Sequence, residues 1–146
     1  MVVLSVKMKE NLTENEQTMT ADKKIRVLVI DDSEVMRHSL RQVLSAFNDL
    51  QWVGESSDGQ DALDLCAEVH PDVILVDVGL VHVDVAKLTY LIRTGYTHTQ
   101  VIGITSFEDK LTINQVLQAG AVLCLSKNTS VAQIADSVRQ VAQATN

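Results

Sequence analysis

The sequence predicts an α/β fold, a doubly wound parallel sheet of five strands with helices on both faces. From Ile25 onward, strand-like and helix-like segments alternate five times with short connections, as in chains built from β/α units. The run 73–76 is apolar at consecutive positions, which is typical of a strand buried on both faces of a parallel sheet. The run 25–30 has the same character, so we expect two central parallel strands.

Composition limits the classes of function. The chain has 146 residues, enough for one ordinary core, and its 3% aromatic content requires that core to be aliphatic. Its net charge is −7 and its longest basic run is Lys23 with Lys24, which disfavours direct contact with nucleic acid. Cys66 and Cys124 are predicted to be reduced core thiols, as in a cytoplasmic protein. No apolar stretch approaches the roughly 20 residues of a membrane span.

The predicted domain organisation has two parts. Residues 1–24 are polar beyond a short apolar start and show no sustained helical period, so we expect a flexible N-terminal tail. Residues 25–146 are predicted to form the α/β domain.

Hydrophobic spacing and caps define the first two β/α units. Ser33 can cap a helix after the first strand, with apolar residues at helical spacing: Met36, Leu40, Val43, Leu44 and Phe47. The half-polar run 51–55 predicts an edge strand. The turn 56–59 leads to a helix that stops before Pro71 and has three inward residues: Leu63, Cys66 and Ala67.

The last three units follow the same rule. After strand 73–77, a helix is predicted to bury Val85, Leu88, Leu91 and Ile92, and to end at Gly95 near a left-handed cap. Strand 101–105 precedes a helix over 108–119, with Gly120 as its stop and with inward residues Ile113, Val116 and Leu117. Strand 121–125 precedes the final helix, predicted to bury Val131, Ile134, Ala135, Val138, Val141 and Ala142.

Polar side chains follow four of the predicted strands. Asp31 and Asp32 end the first, Asp77 the third, Thr105 the fourth, and Lys127 comes two residues after the fifth. Because the carboxyl ends of parallel strands share one edge of a sheet, where open α/β folds place their ligands, we expect one site there.

These residue types indicate phosphoryl transfer to a carboxylate. Three convergent carboxylates repel one another and would attract Mg²⁺, which prefers oxygen ligands and brings in phosphate. Lys127 can pair with Asp77 and then with an arriving anion. The hydroxyl of Thr105 can donate a hydrogen bond to the same anion. The chain has no glycine-rich phosphate loop, so the phosphoryl group is expected from another protein or a small donor.

Four segments resemble the receiver domain of two-component response regulators, most like those of the NarL/LuxR type. They are Val29-Ile30-Asp31-Asp32-Ser33, Pro71-Asp72-Val73-Ile74-Leu75-Val76-Asp77, Ile102-Gly103-Ile104-Thr105-Ser106, and the stretch from Ala119-Gly120-Ala121 to Lys127. The resemblance covers the chain from about Ile25 to Ala144. It implies a flavodoxin-like receiver fold with strand order 2-1-3-4-5.

The resemblance also implies a metal site. Asp32 and Asp77 would be Mg²⁺ ligands, Asp31 would act largely through a metal-bound water, and the main-chain carbonyl of Gly79 would supply a further ligand.

Asp77 would be the phosphoacceptor, with Lys127 and Thr105 as the phosphate-sensing pair. The implied partners are a sensor histidine kinase or phosphotransfer protein and a downstream protein that responds to shifts of the fourth and fifth helices, and a homodimer is also allowed. The chain would not be a turnover enzyme, although phosphotransfer would be self-catalysed and autodephosphorylation could follow.

Departures from the family pattern keep other functions open. Leu80 and Val81 replace the usual Met-Pro, Val85 replaces a glycine, and Cys124 replaces the aromatic residue of the fifth strand. One alternative is therefore an interaction module that does not respond to phosphorylation. Another is the receiver part of a DNA-binding transcriptional regulator, because the last helix looks like those that precede a LuxR-type helix-turn-helix. A small phosphohydrolase is the weakest alternative.

Overall fold

Five strands and five helices alternate in the computed structural model, which describes residues 23–106 and 109–144. The predicted tail lies outside the described residues except for Lys23 and Lys24, and so does the predicted helix start at Glu108. The elements are β1 Ile25–Ile30, α1 Glu34–Ser45, β2 Leu50–Ser56, α2 Ala62–Val69, β3 Val73–Asp77, α3 Val85–Gly95, β4 Gln100–Thr105, α4 Lys110–Gln118, β5 Leu123–Ser126 and α5 Val131–Gln143.

All neighbouring strands are parallel and the sheet order is β2-β1-β3-β4-β5, as predicted. Residues 27–30 of β1 and 73–76 of β3 are at most 1% exposed, which agrees with their central positions. The half-exposed β2 lies at one edge, as its polar sequence predicts. Its pairing with β1 shifts register between Val27 and Leu28, beside Gly54, and this shift was not predicted.

Alternate strand residues supply two aliphatic core layers, one on each face of the sheet. One layer packs under α2, α3 and α4 through Ala62, Cys66, Val85, Leu88, Ile92 and Val116. The other packs under α1 and α5 through Leu40, Leu44, Ile134, Ala135, Val138 and Val141. Helices cover both faces, so the carboxyl edge of the sheet stays open to a ligand.

Four of the five described helices begin at a side-chain cap, and α2 begins without one. Ser33, as predicted, accepts the Met36 amide hydrogen at the start of α1. Asp84, Asp109 and Ser130 cap α3, α4 and α5 in the same way. Gly120 follows α4 with φ of +122°, which confirms it as the stop of that helix.

Three predicted inward residues and one predicted cap were wrong. Ala67 is exposed, and Ala62 takes the buried place one turn before Cys66. Leu91 is exposed on α3, and Val131 is 49% exposed because it is the first residue of α5. Gly95 is the last residue of α3 but does not have the positive φ of a left-handed cap.

Both cysteines are free thiols, as predicted. Cys66 is a buried residue of α2, and burial raises the pKa of its thiol to about 11.

Among the described helices, none combines the length and the apolar character needed to cross a membrane.

Candidate functional site

Asp31 is held at the carboxyl end of β1 by main-chain contacts. Its amide donates to the Ser56 carbonyl at 3.0 Å, and its Oδ1 accepts the Ser33 amide hydrogen at 2.8 Å. The residue is only 1% exposed, whereas its neighbour Asp32 is exposed. The predicted acid pair therefore consists of one buried and one solvent-facing carboxylate.

Asp77 ends β3 and is 5% exposed. Its Oδ1 accepts the amide hydrogen of Gly79 at 2.9 Å. A Cβ placed on Gly79 would lie 3.4 Å from the same oxygen, which is an ordinary van der Waals contact. The predicted role of the Gly79 carbonyl as a metal ligand stays a prediction.

Lys127 connects the strand ends. Its Nζ lies 3.2 Å from Asp31 Oδ2 and 3.4 Å from Asp77 Oδ2, so one ammonium faces both buried carboxylates. The pairing with Asp77 was predicted and the contact with Asp31 was not. The Lys127 amide also donates to the Thr105 carbonyl at 2.8 Å, which joins the ends of β4 and β5.

Thr105 ends β4 beside the loop that follows β3. Together with Gly79 and Val78 it lines a cavity of about 300 Å³, which Val116 of α4 also lines. The structure therefore brings all six predicted site residues to the carboxyl edge of the sheet, on or directly after their strands.

The charges of this edge affect one another. Burial raises the pKa of Asp77 above its ordinary value, the Asp31 carboxylate adds to the rise, and the Gly79 amide and Lys127 oppose it. Burial works against the charged form of Lys127, yet its contacts with Asp31 and Asp77 hold its pKa above the ordinary value. The ammonium therefore stays charged while the carboxylates still repel each other.

Three carboxylates at this edge could hold a divalent cation. One oxygen each from Asp31, Asp32 and Asp77 lies within 4.8 Å of the others. Asp31 Oδ2 is buried and, apart from its ion pair, accepts no hydrogen bond from any described residue. A buried oxygen with spare acceptor capacity beside an exposed carboxylate suits Mg²⁺, which prefers oxygen ligands and retains waters.

A second set of charged residues supports the site and was not predicted. Arg37 Nη1 donates to the Asp31 carbonyl at 2.8 Å, and Arg37 Nε lies 3.9 Å from Glu55 Oε1. Glu55 also accepts from Arg41 Nη2 at 2.5 Å, and the Arg41 guanidinium lies 4.4 Å from the centre of the Trp52 ring. The sequence signal for this contact was the position of Arg37, one turn into the helix that starts directly after Asp31 and Asp32.

The residues after β3 that depart from the family pattern differ in their exposure. Leu80 and Val85 are buried, whereas Val81 is 80% exposed. Cys124 is half-buried on β5, and a Cβ placed on Gly103 of β4 would lie 2.7 Å from its sulfur.

Comparison with known proteins identifies the family. Residues 27–139 match the family model of the response regulator receiver domain. Over 115 residues the chain is 39% identical to the transcriptional regulatory protein LiaR of Bacillus subtilis, covering 79% of this chain and 54% of LiaR. Over 119 residues it is 33% identical to the response regulator protein VraR of Staphylococcus aureus, covering 82% of this chain and 57% of VraR.

A solved structure supports the same assignment. The signal receiver domain of the response regulator NarL from Mycobacterium tuberculosis superposes with a TM-score of 0.78 at 31% identity. The match covers 83% of this chain and 98% of that domain. The chain spans about half the length of the curated relatives it matches. The order of strands and helices, and the three acids at the carboxyl edge of the sheet, agree with these matches. The chain belongs to the response regulator receiver domain family of two-component systems.

Proposed function

We propose that Asp77 accepts a phosphoryl group from the phosphohistidine of a sensor histidine kinase or a phosphotransfer protein. The observation that carries the proposal is the single ammonium of Lys127, which lies within 3.4 Å of two buried carboxylates at the open edge of the sheet. A carboxylate so placed can act as a nucleophile beside a cation that compensates the incoming negative charge.

In the transfer, a carboxylate oxygen of Asp77 forms a bond to phosphorus as the bond between phosphorus and the donor imidazole breaks. The imidazole keeps the electron pair of that bond, and an acyl phosphate forms on Asp77. Asp31, Asp32, Asp77 and the Gly79 carbonyl would hold Mg²⁺, which when bound supplies positive charge to the phosphoryl oxygens.

Lys127 and Thr105 would then bind the phosphoryl oxygens. Lys127 already contacts Asp77, so its ammonium can turn to a new oxygen without leaving the site. Thr105 lies between this edge and the cavity beside α4, so its hydroxyl can couple phosphorylation to α4. Cys124 has no ring to swing, so we expect helix shifts rather than an aromatic switch to alter the binding of a downstream partner.

The test is phosphorylation with acetyl phosphate and Mg²⁺, followed by intact-mass measurement and peptide mapping. We expect one added phosphoryl group on Asp77 in the wild-type chain and none in Asp77→Asn. Asp58→Asn is the matched control, because Asp58 is an exposed acid in the loop after β2 and should not affect the reaction. A wild-type chain that gains no phosphoryl group with or without Mg²⁺, and shows no response to beryllium fluoride, would refute the proposal.

A second function, binding a partner without phosphorylation, is favoured by the altered loop and by Cys124. Val81 is exposed and alters the surface near Asp77, and Val85 is buried at the start of α3. Neither change removes an acid of the site. This function would be preferred if Asp77→Ala bound the downstream partner as the wild type does.

The relatives suggest the larger context. LiaR is named a transcriptional regulatory protein and this chain spans about half of it, so we propose that the domain acts as the receiver part of such a regulator, in the cytoplasm and with a homodimer as one assembly. The prediction that this chain itself makes no nucleic-acid contact gains no support from these relatives. It rests on the net charge of −7.

A further inference from the structure

Asp32 is the most weakly held of the three carboxylates. Its side chain is exposed and takes no hydrogen bond or ion pair within residues 23–106 and 109–144. The Asp31 side chain, in contrast, contacts the Ser33 amide and Lys127. The position of the Asp32 carboxylate therefore depends on the main chain that carries it.

Arg37 holds that main chain. Its Nη1 donates at 2.8 Å to the carbonyl oxygen of Asp31, which belongs to the peptide group joining Asp31 to Asp32. Because a peptide group is planar, fixing its oxygen fixes the direction in which the Asp32 backbone continues. The Arg37 side chain is only 16% exposed, so this contact is shielded from water.

Glu55 lies between Arg37 and Arg41. Its Oε1 lies 3.9 Å from Arg37 Nε and also accepts from Arg41 on the next turn of α1. Arg37 therefore shares one carboxylate with Arg41, and its guanidinium donates to a carbonyl of the acid pair and not to a carboxylate. Lys127 differs, because its ammonium contacts the carboxylates directly.

We propose that Arg37 is a positioning residue of the acid site: it orients the peptide between Asp31 and Asp32 so that both carboxylates reach one Mg²⁺. The inference rests on the proposed function, since it assumes that these acids bind the metal. Groups that orient ligands in this way commonly affect metal affinity by 10-fold or more when they are replaced.

The test is an Mg²⁺ titration of the whole chain followed by the amide NMR signals of Asp32 and Gly79. We expect Arg37→Gln to weaken Mg²⁺ binding about tenfold. Arg37→Lys retains the charge but has one donor group instead of a fork, so it should restore part of the affinity.

Arg41→Gln is the matched control. Arg41 lies on the same helix and bonds the same Glu55 oxygen, but it contacts Trp52 and not Asp31. We expect Arg41→Gln to lower thermal stability while leaving Mg²⁺ affinity unchanged. Equal weakening of Mg²⁺ binding in the two variants would show that Arg37 has only a structural role, and would overturn the inference.

The outcomes separate the two proposals. If the wild type binds Mg²⁺ and Arg37→Gln binds it equally well, only the inference fails. If the wild type does not bind Mg²⁺, the metal step of the proposed function fails, and the inference fails with it. If Arg37→Gln does not fold, Arg37→Met takes its place, because it keeps a long unbranched side chain but has no donor, and an unchanged Mg²⁺ affinity in that variant overturns the inference.

Discussion

At the scale of single residues, Asp77 combines burial with negative charge. Burial raises its pKa, and Asp31 adds to the rise against the opposing effects of Gly79 and Lys127. The ionised carboxylate is thus less favourable in the folded chain than in the unfolded chain. The free energy of unfolding should therefore decrease as pH rises from the ordinary carboxyl range through the folded-state pKa, and stay lower at neutral pH.

Asp77→Asn should therefore stabilise the metal-free protein at pH 7. We expect a gain on the order of 1 kcal/mol, or about 3 °C in Tm, that shrinks as pH falls toward 4. Thermal unfolding in EDTA across this pH range measures the difference. Asp64→Asn, at an exposed acid of α2, should show no such gain. A lower Tm for Asp77→Asn at pH 7 would contradict this account of the site.

The residues of the site were predictable only in part. Parallel strands place their ends on one edge, which was enough to group Asp31, Asp77 and Lys127. The sequence did not reveal that Asp31 is buried and Asp32 exposed, because either of two adjacent acids can turn inward at the end of a strand. Arg37 was missed because an arginine on an amphipathic helix has the same pattern whether it faces water or a carbonyl.

At the scale of secondary-structure elements, β4 and β5 meet where the family aromatic is absent. A Cβ on Gly103 would lie 2.7 Å from Cys124 Sγ and 2.9 Å from Val78 Cγ2. Both distances are too short for carbon in a packed interior, so β4 tolerates only glycine beside these neighbours. The absence of a side chain at Gly103 therefore provides the space that the Cys124 thiol occupies.

Gly103→Ala should destabilise the fold by about 1–3 kcal/mol through overpacking. Urea unfolding measures the loss, and the double variant Gly103→Ala with Cys124→Ala should recover part of it because the sulfur contact is removed. Gly95→Ala is the control, since no atom lies within 4 Å of a Cβ at that position of α3. That change should be neutral or stabilising, as alanine has the higher helix propensity. Equal effects at the two glycines would refute the packing argument.

The errors at this scale concerned which helix positions are buried. Val131 has the right spacing for burial, but the first residue of α5 precedes the part of the helix that packs on the sheet. Ala67 was predicted to face inward and Ala62 was not considered, because α2 is only eight residues long and its hydrophobic period fits more than one face. Long helices such as α5 were otherwise predicted well, because four buried residues at regular spacing define one face.

At the scale of the whole molecule, fold and site depend on the same arrangement. Strand order 2-1-3-4-5 places β1 next to β3, so Asp31 and Asp77 meet although 46 positions separate them in the sequence. The alternation of strand-like and helix-like segments predicted the β/α class, whereas the strand order came from the family resemblance. The register shift between β1 and β2 falls where Leu28 pairs with Gly54, and an isolated glycine inside a strand is a sequence signal for such an irregularity that was not used.

Mg²⁺ binding should consequently stabilise the entire domain. An ion that binds only the folded chain adds about 2.7 kcal/mol when its concentration is 100 times its Kd. Asp32→Ala isolates this effect, because the exposed Asp32 has no side-chain partner among the described residues and its removal breaks no contact of the metal-free fold. We expect the wild-type Tm to rise with Mg²⁺ concentration and the rise to be lost in Asp32→Ala. Glu68→Ala, at an exposed acid on α2, should behave as the wild type does. If Asp32→Ala retains the full Mg²⁺-dependent rise, Asp32 is not a ligand of the stabilising ion, because only that carboxylate has been removed.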